Sequence, residues 1–358
     1  MVHAVFLITI ILSFVLKNKG KQMQTIPFLL LFLFAALRYM YGSDYANYYH
    51  IHRSVQQGAV SPFDEFLFTK LYEWIPNFFV LTGLISLVFL YMVYRLMKDN
   101  LTGRGMFVGL VIFLINPYLF LMNLSALRQC LAMLCFMAAV EFGIKRRFLP
   151  YVLLVLTGMM FHKSAILLLP IYFFLGKWQF KKRYVFAVAA AVFVLLCFAD
   201  IRAISRAVAV WFNDANYLAH LKVGTGNTLR ATLLTGISFL YVLVNMPKLR
   251  GKELVYTKLY LLSLILGVLA FRLSMLTRIQ MYFDIFSIVA IPTIMEKIRE
   301  EGPISVKLGN RQETVWRCVN RYALPLLIFT VYILRYYSFF TNPMWKAYTT
   351  YQTIFSAM

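Results

Sequence analysis

Long apolar runs recur along the whole chain, and short clusters of basic residues separate them. The runs do not alternate apolar and polar positions, as the strands of a membrane β-barrel do. Only α-helices and closed barrels satisfy every backbone hydrogen-bonding group in lipid. The pattern therefore predicts an all-α, polytopic integral membrane protein that forms a single domain over residues 1–358.

A membrane-spanning helix needs about 20 apolar residues, with a range of about 17–25. Several runs are shorter than this, so we expect about 10–12 transmembrane helices, some of them short or re-entrant. The candidate spans are residues 2–16, 26–41, 75–94, 106–122, 124–143, 149–161, 164–176, 184–199, 230–246, 257–275, 279–295 and 322–340.

The composition supports this class of protein. Hydrophobic residues make up 61% of the chain and charged residues 14%, whereas soluble domains are about half apolar and a quarter charged. The net charge of +22 comes from short basic clusters between apolar runs, which is typical of cytoplasmic loops. We therefore expect no nucleic-acid partner. The four cysteines show no zinc-binding spacing, so we also expect no metal site.

The basic clusters predict how the chain is oriented. When the candidate spans are threaded through a membrane in order, the basic loops all fall on one side, which an excess of Lys and Arg marks as cytoplasmic. These loops are residues 17–22, 95–104, 145–147, 177–183, 248–253 and 296–321. We therefore predict a multi-pass protein of the plasma (inner) membrane with residues 296–321 as a cytoplasmic loop. Residues 38–74 become an outer loop, and residues 200–229 become an outer amphipathic segment.

This orientation places a set of charged residues at the outer ends of spans or in outer loops. An unpaired charge near the bilayer centre costs about 2.5–3.5 kcal/mol on insertion scales, so such residues usually face a cavity. We therefore predict one site that faces the outside or the periplasm. The residues that it gathers are Arg38, Asp44, Arg128, His162, Lys163, Arg272 and Arg278.

Two of these residues interrupt the apolar run 149–176. Basic loops lie on both sides of this run, so the run crosses the membrane an even number of times. Each half has about 13 residues, or about 20 Å of helix at 1.5 Å per residue, which is less than the hydrocarbon core of about 30 Å. The run is either two short tilted helices or a re-entrant hairpin. In both cases His162 and Lys163 lie at its tip, toward the outer leaflet.

The outer loop 38–74 begins RYMYGSDYANYYHIHR and is rich in tyrosine. The tyrosines form either an aromatic belt at the membrane interface or a platform that contacts a sugar or a lipid. Asp44 either caps a helix that starts near Ala46 or points its carboxylate into the site. We interpret Asp64 and Glu65, which follow Ser61–Pro62, as a solvated outer turn.

The arginines suggest the charge of the ligand. Arg128 lies beside Gln129, about one turn inside the outer end of an apolar helix, and either extends toward lipid headgroups or binds a ligand. Arg272 and Arg278 frame the outer turn FRLSMLTRIQMYF. Few outer carboxylates are available to pair with these arginines, and guanidinium groups match phosphate oxygens in a bidentate fork. These features favour an anionic ligand such as a diphosphate in the outer leaflet.

Four sequence blocks, in this order and spacing, resemble the EpsG family of Wzy-like polysaccharide polymerases over nearly the whole chain. The blocks are LRYMYGSDYANYY, LSALRQCLAMLCFMAAVEF, GMMFHKSAILLLPIYFF and LTRIQMYFDIF. The resemblance implies a fold like that of the multi-span lipid-diphosphate glycosyltransferases. It also implies a glycosyltransferase that polymerises polyprenyl-diphosphate-linked oligosaccharide repeats on the outer face of the plasma membrane. The product would be a glycan of the capsule, exopolysaccharide or O-antigen type.

The same resemblance implies how the reaction is supplied. A flippase delivers the lipid-linked repeat, and the growing chain moves from its lipid diphosphate, of the undecaprenyl type, onto the next repeat. The reaction needs no nucleotide sugar, metal or other cofactor. A flippase and a chain-length regulator of the same pathway, together with membrane lipid, are the expected partners.

These expectations assign roles to residues. Arg38, Arg128 and Arg278 are expected to hold the leaving diphosphate, supported by Lys163 and Arg272 and by Gln129 beside Arg128. Such donors contribute roughly 10²–10³ each in rate. His162 is the first candidate for the general base, because its ordinary pKa lies near neutrality, and Asp44 is the second. Alternatively, His162 binds the diphosphate, or it hydrogen-bonds a backbone carbonyl at the loop tip.

Three other functions fit parts of the pattern. A transporter or flippase of lipid-linked sugars would also place arginines around a cavity, but alternating access requires charged groups near the midplane and on both sides. A ligase or acyltransferase would act on a surface glycan without lengthening it. A scaffold within a synthesis complex would have no need for uncompensated outer arginines.

Overall fold

The computed structural model describes residues 1–176, 227–270, 276–301 and 311–357. Helices make up most of this part of the chain. They are α1 (Val2–Leu16), α2 (Thr25–Ala36), α3 (Tyr45–Gln56), α4 (Phe66–Trp74), α5 (Phe78–Asn100), α6 (Gly103–Ile115), α7 (Leu121–Ser125), α8 (Leu127–Ile144), α9 (Phe148–Met159), α10 (Asn227–Asn245), α11 (Gly251–Leu269), α12 (Leu276–Asp284), α13 (Ser287–Glu300), α14 (Arg311–Cys318) and α15 (Leu324–Thr341). A 3₁₀ helix covers Lys163–Leu175. The candidate span 184–199, most of the outer segment 200–229 and Arg272 lie outside the described residues.

Among the described residues, three helices are long and apolar enough to cross a membrane: Phe78–Asn100, Leu127–Ile144 and Thr314–Thr341. A fourth span is added if Leu276–Asp284 and Ser287–Glu300, which meet at a bend of 48°, cross together. Shorter apolar helices of 10–17 residues account for several of the short runs in the sequence pattern. The predicted class, an all-α polytopic membrane protein, is confirmed.

Side-chain caps set where two neighbouring helices begin. The Asn77 side chain accepts hydrogen bonds from the backbone of Phe79 and Val80 at the start of α5, at 2.8 and 3.2 Å. The Thr102 hydroxyl accepts one from Gly105 N at 3.1 Å at the start of α6. Asn and Thr are favoured at these positions because the first backbone N–H groups of a helix have no partner within the helix.

The chain divides into two compact units, Met1–Gly176 with Tyr332–Met358, and Lys177–Val331. In the first unit α2 packs against α5, and α8 packs against α9 and the 3₁₀ helix. Gly158 lets α9 approach these neighbours closely. A Cβ atom there would meet Ala132 O at 3.3 Å and Ala165 Cβ at 3.5 Å.

The run 149–176 forms a hairpin. α9 runs from Phe148 to Met159, and residues 160–162 form a turn. The 3₁₀ helix that follows packs against α9. The two arms have 12 and 13 residues. The first is about 18 Å long at 1.5 Å per residue, and the second about 26 Å at 2.0 Å per residue. Both are shorter than a hydrocarbon core of about 30 Å, and His162 and Lys163 lie at the tip.

The end of the chain packs beside the start of the outer loop. β1 (Arg38–Tyr39) pairs antiparallel with β2 (Gln352–Thr353). Gly42 N donates to Ala347 O at 3.2 Å, and Tyr351 stacks on Phe34. The outer loop itself is largely helical, because α3 and α4 lie within it. Its predicted position outside the membrane stays a prediction.

The second unit buries polar side chains among its helices. α11 packs against α10, α12 and α13. Ser263 Oγ lies 3.2 Å from Asp284 Oδ1. The amide side chains of Asn245 and Asn320 exchange hydrogen bonds of 2.8 Å in both directions. These pairs satisfy polar groups that would otherwise be costly to bury.

Candidate active site

Arg128 lies at the start of α8, just after the break at Ala126 that separates α7 from α8. Its Nη1 donates to Glu65 Oε2 at 2.9 Å, and its Nε donates to the hydroxyl of Tyr48 at 3.4 Å. The guanidinium lies 4.5 Å from the ring centroid of Phe63, within range of a cation–π interaction. Three contacts from the outer loop therefore fix the orientation of one arginine.

Glu65 is the acidic centre of this group. Its side chain is 6% exposed, and its second oxygen, Oε1, lies 3.6 Å from His162 Nδ1. Burial alone raises the pKa of Glu65, but the contacts with His162 and Arg128 outweigh it and lower the pKa to about 2. Glu65 is therefore a buried carboxylate that stays ionised at neutral pH.

Asp64 and Lys163 form a second, more exposed pair beside the first. Asp64 Oδ2 lies 2.7 Å from Lys163 Nζ, and the two side chains are 77% and 50% exposed. Consecutive acidic residues of the outer loop thus face consecutive basic residues of the hairpin tip. We call Asp64, Glu65, His162 and Lys163 the clasp. The interpretation of Asp64 and Glu65 as a solvated turn is wrong for Glu65, because the hairpin tip covers it.

A backbone contact supports the clasp. Leu67 N, in the first turn of α4, donates to Met160 O at the hairpin tip over 3.1 Å. The tip is closed by His162 N, which donates to Gly158 O at 2.9 Å. The charged residues in the apolar run 149–176 therefore dock the hairpin tip onto the outer loop.

His162 is enclosed by this docking. Its side chain is 13% exposed, and both ring nitrogens are buried. Gln129, the neighbour of Arg128, is also buried. Of the residues predicted for the site, the structure thus brings Arg128, His162 and Lys163 together around the two acidic residues.

Asp44 lies at the edge of this group and is exposed. It is the residue before α3, but its side chain makes no capping hydrogen bond. Its backbone N–H donates to Ser125 Oγ at 2.9 Å. Tyr48 follows one turn later on α3 and contacts Arg128. Burial raises the pKa of the Tyr48 phenol, with smaller contributions in the same direction from Asp44 and Glu65. Asp44 therefore lies within electrostatic range of the Arg128 cluster.

The tyrosines of the outer loop pack mainly on protein. Tyr45 and Tyr49 meet the ring of Phe78 edge-on, at centroid distances of 5.3 and 5.5 Å. Tyr41 and Tyr48 are buried. These contacts give the tyrosines a role in packing α3 against the start of α5, which neither predicted role included.

Arg38 makes a different set of contacts. It is fully buried and donates to Ala35 O, to Ser86 Oγ at 2.9 Å and to Leu124 O at 3.1 Å. The guanidinium thus joins α2, α5 and α7 and makes none of its described hydrogen bonds to the clasp. Its predicted contact with phosphate stays a prediction.

The predicted arginines of the late sequence block lie elsewhere in the chain. Arg278 is an exposed residue of α12 in the second unit. Arg272 lies outside the described residues. Their predicted membership of the same site stays a prediction.

Sequence reasoning identified Arg128 and His162 because each is a charged or polar residue inside an apolar run. It missed Glu65 and Phe63, which lie in a polar stretch and look like an ordinary turn. One signal was available: the consecutive acids Asp64–Glu65 match the consecutive bases of the hairpin tip. Within the described residues no group of three or more His, Cys, Asp or Glu residues is arranged to hold a metal ion.

The long apolar helices define a polytopic membrane protein. Its charged candidate site lies between the loop 38–74, the start of α8 and the hairpin tip. The sequence model of the EpsG family matches residues 21–308. The chain belongs to the EpsG family, which confirms the resemblance and suggests a polysaccharide polymerase-type function. The matched range includes Glu65, Arg128 and His162. No curated protein and no solved structure matches the chain.

Proposed function

We propose that this protein polymerises oligosaccharide repeats that are linked to a polyprenyl diphosphate, on the outer face of the plasma membrane. The growing chain moves from its lipid diphosphate to a hydroxyl of the next lipid-linked repeat. The bond between the anomeric carbon and the phosphate oxygen breaks, and a bond to the acceptor oxygen forms. The acceptor proton goes to a base, and polyprenyl diphosphate leaves. Membership of the EpsG family supports this type of reaction.

The single observation that carries the proposal is the environment of Arg128. Its side chain is 28% exposed, and its contacts with Glu65 and Tyr48 use Nη1 and Nε. Neither contact uses Nη2, which we assign to a phosphate oxygen of the donor. Three fixed contacts hold the guanidinium before the charge on the leaving diphosphate develops. A preorganised donor of this kind contributes roughly 10²–10³ in rate.

Asp44 is our candidate for the base that accepts the proton. Asp44 is an exposed residue, whereas both ring nitrogens of His162 are buried. Asp44 also lies one helical turn from Tyr48, whose hydroxyl contacts Arg128. An acceptor hydroxyl can reach Asp44 without any opening of the clasp. This reverses the order of the two candidate bases that the sequence suggested.

The remaining assignments follow from the same reaction. Lys163 and Gln129, next to His162 and Arg128, are proposed to contact the donor. Arg38, Arg272 and Arg278 stay proposed phosphate ligands. We also propose that the reaction uses no metal and no nucleotide sugar, and that a flippase of the same pathway supplies the donor. A chain-length regulator is the other proposed partner.

Purified protein mixed with lipid-diphosphate-linked repeats tests the proposal. The mixture contains a chelator and no nucleotide sugar, and the products are separated on a sizing gel. We expect a ladder of lengthening chains that Arg128→Ala abolishes. Arg95→Ala is the matched control, because Arg95 pairs with Asp99 on the exposed surface of α5.

Other outcomes of this assay favour other functions. Transport of the substrate across vesicles without a ladder would favour a flippase. A single transfer to a terminal acceptor would favour a ligase, and loss of a decoration without loss of length would favour an acyltransferase. A ladder that requires a metal would keep the polymerase and overturn the metal-independent mechanism.

A further inference from the structure

Glu65 contacts two partners with its two oxygens. Oε2 accepts the hydrogen bond from Arg128, and Oε1 faces His162 Nδ1. The carboxylate thus lies between an exposed arginine and an enclosed imidazole. A carboxylate that contacts a functional group on one side and an orienting group on the other holds both in a fixed geometry.

The burial of the three groups decreases outward. Glu65 and His162 are 6% and 13% exposed, and Arg128 is 28% exposed. Of these three side chains, the most exposed one, Arg128, is positioned to meet a ligand, because Glu65 and both ring nitrogens of His162 are buried. The inner pair therefore acts through Arg128.

Resting on the proposed function, we propose that Glu65 and His162 are positioning residues: His162 fixes the carboxylate of Glu65, and Glu65 aims the guanidinium of Arg128 at the leaving diphosphate. His162 accepts no proton from the acceptor. The charged hairpin tip therefore supports the diphosphate site from behind Arg128. The catalytic rate then depends on the outer loop staying docked on the tip, because Glu65 belongs to that loop.

The cluster contains several titratable groups, so the test separates their roles. These groups are Tyr48, Asp64, Glu65, Arg128, His162 and Lys163. The amide nitrogen of an asparagine at position 162 lies near the place of Nδ1 and still donates toward Glu65. Asparagine does not accept a proton near neutral pH. His162→Asn therefore keeps a positioning contact and removes a base.

The experiment measures kcat, KM and the pH dependence of chain extension on lipid-diphosphate-linked repeats. The variants are His162→Asn, His162→Ala and Glu65→Gln, and Glu73→Gln is the matched control. Glu73 is a half-exposed carboxylate of α4 that pairs with Lys70. We expect His162→Asn to keep activity within about tenfold of wild type. Its activity should still fall at acidic pH as in wild type, because the proposed base, Asp44, is unchanged. His162→Ala and Glu65→Gln should lose about 10–100-fold, mainly in kcat.

Inhibition by polyprenyl diphosphate, the leaving group, provides a second measurement. Glu65→Gln should weaken this inhibition, because a misaligned Arg128 binds the diphosphate less well. Loss of folded protein would lower the active fraction without changing the inhibition constant.

Two results separate the failure of this inference from the failure of the proposed function. If wild type extends chains, and His162→Asn is as inactive as His162→Ala and lacks the acidic limb, His162 is the base and the inference is wrong. If wild type extends no chains, the proposed function itself fails, and the inference fails with it. Unchanged kcat and unchanged inhibition in Glu65→Gln would also overturn the positioning role.

Discussion

The carboxylate of Glu65 accepts a 2.9 Å hydrogen bond from Arg128, although 63 residues separate the two in the sequence. This contact joins the outer loop to the start of α8. His162 at the hairpin tip approaches the same carboxylate from a third segment. Three distant parts of the chain thus meet at one buried negative charge.

Breaking the pair from one side is expected to destabilise the protein. Arg128→Met leaves Glu65 as a buried carboxylate without its arginine, which costs about 3 kcal/mol. The double variant Arg128→Met/Glu65→Leu removes both charges and should regain most of that stability, while activity stays absent. Thermal unfolding of wild type, Arg128→Met, Glu65→Leu and the double variant measures the coupling. Additive losses in the double variant would show that the pair is not coupled.

The stability contributed by Glu65 is expected to depend on pH. Its pKa is lowered from 4.5 to about 2, so the folded state binds the proton more weakly than the unfolded state. The contribution is fully present above the ordinary value and is lost as pH falls through the window from 4.5 to about 2. The melting-temperature advantage of wild type over Glu65→Gln should shrink across this window. An advantage that grows with acidity would contradict the ion pair.

The outer pair of the clasp should matter far less for stability than the inner one. The side chains of Asp64 and Lys163 are at least half exposed. Exposed ion pairs contribute about 0–1 kcal/mol to the free energy of unfolding. Asp64→Asn should therefore change the melting temperature much less than Glu65→Gln does. Equal losses in the two variants would mean that Asp64 is as buried as Glu65 in the folded protein.

Sequence reasoning located the apolar helices well. The predicted span 2–16 coincides with α1, and the predicted halves of the run 149–176 match the two arms of the hairpin within two residues. Apolar content determines which residues lie in lipid or in the core, and this information is local in sequence. The 3₁₀ geometry of the second arm was not predicted. Its Pro170 lacks an N–H group and disfavours a regular α-helix there.

The candidate site was only partly predictable for a related reason. Arg128 and His162 are conspicuous because charge in an apolar run is costly. Glu65 is inconspicuous because its burial comes from a hairpin tip nearly 100 residues away, as the Asp64–Lys163 pair beside it shows. The hydrogen bonds from the Arg38 guanidinium to the carbonyls of Ala35 and Leu124 were likewise not predictable from the sequence. Tertiary partners of this kind leave no local pattern.

Gly42 is expected to be intolerant of any side chain. Its φ is +112°, and a Cβ atom there would meet Ser125 Oγ at 2.9 Å. That hydroxyl also accepts from Asp44 N, so Gly42→Ala should displace Asp44 and lower activity. The backbone strain alone costs more than about 1 kcal/mol.

Gly20 provides the matched control for this substitution. It has a φ of +100°, and nothing lies within 4 Å of the Cβ position. Gly20→Ala should therefore show the backbone strain without the steric clash. Equal effects of the two variants on activity would show that the hydrogen bond from Asp44 N to Ser125 Oγ does not position Asp44.

The most direct test of the account is the release of polyprenyl diphosphate during chain growth. Purified protein is mixed with lipid-diphosphate-linked repeats, and released lipid diphosphate and new glycosidic bonds are counted in the same reaction. The account predicts one polyprenyl diphosphate released for each bond formed, with both quantities lost together in Arg128→Ala. Chain growth without release of polyprenyl diphosphate, or growth that needs a nucleotide sugar, would contradict it.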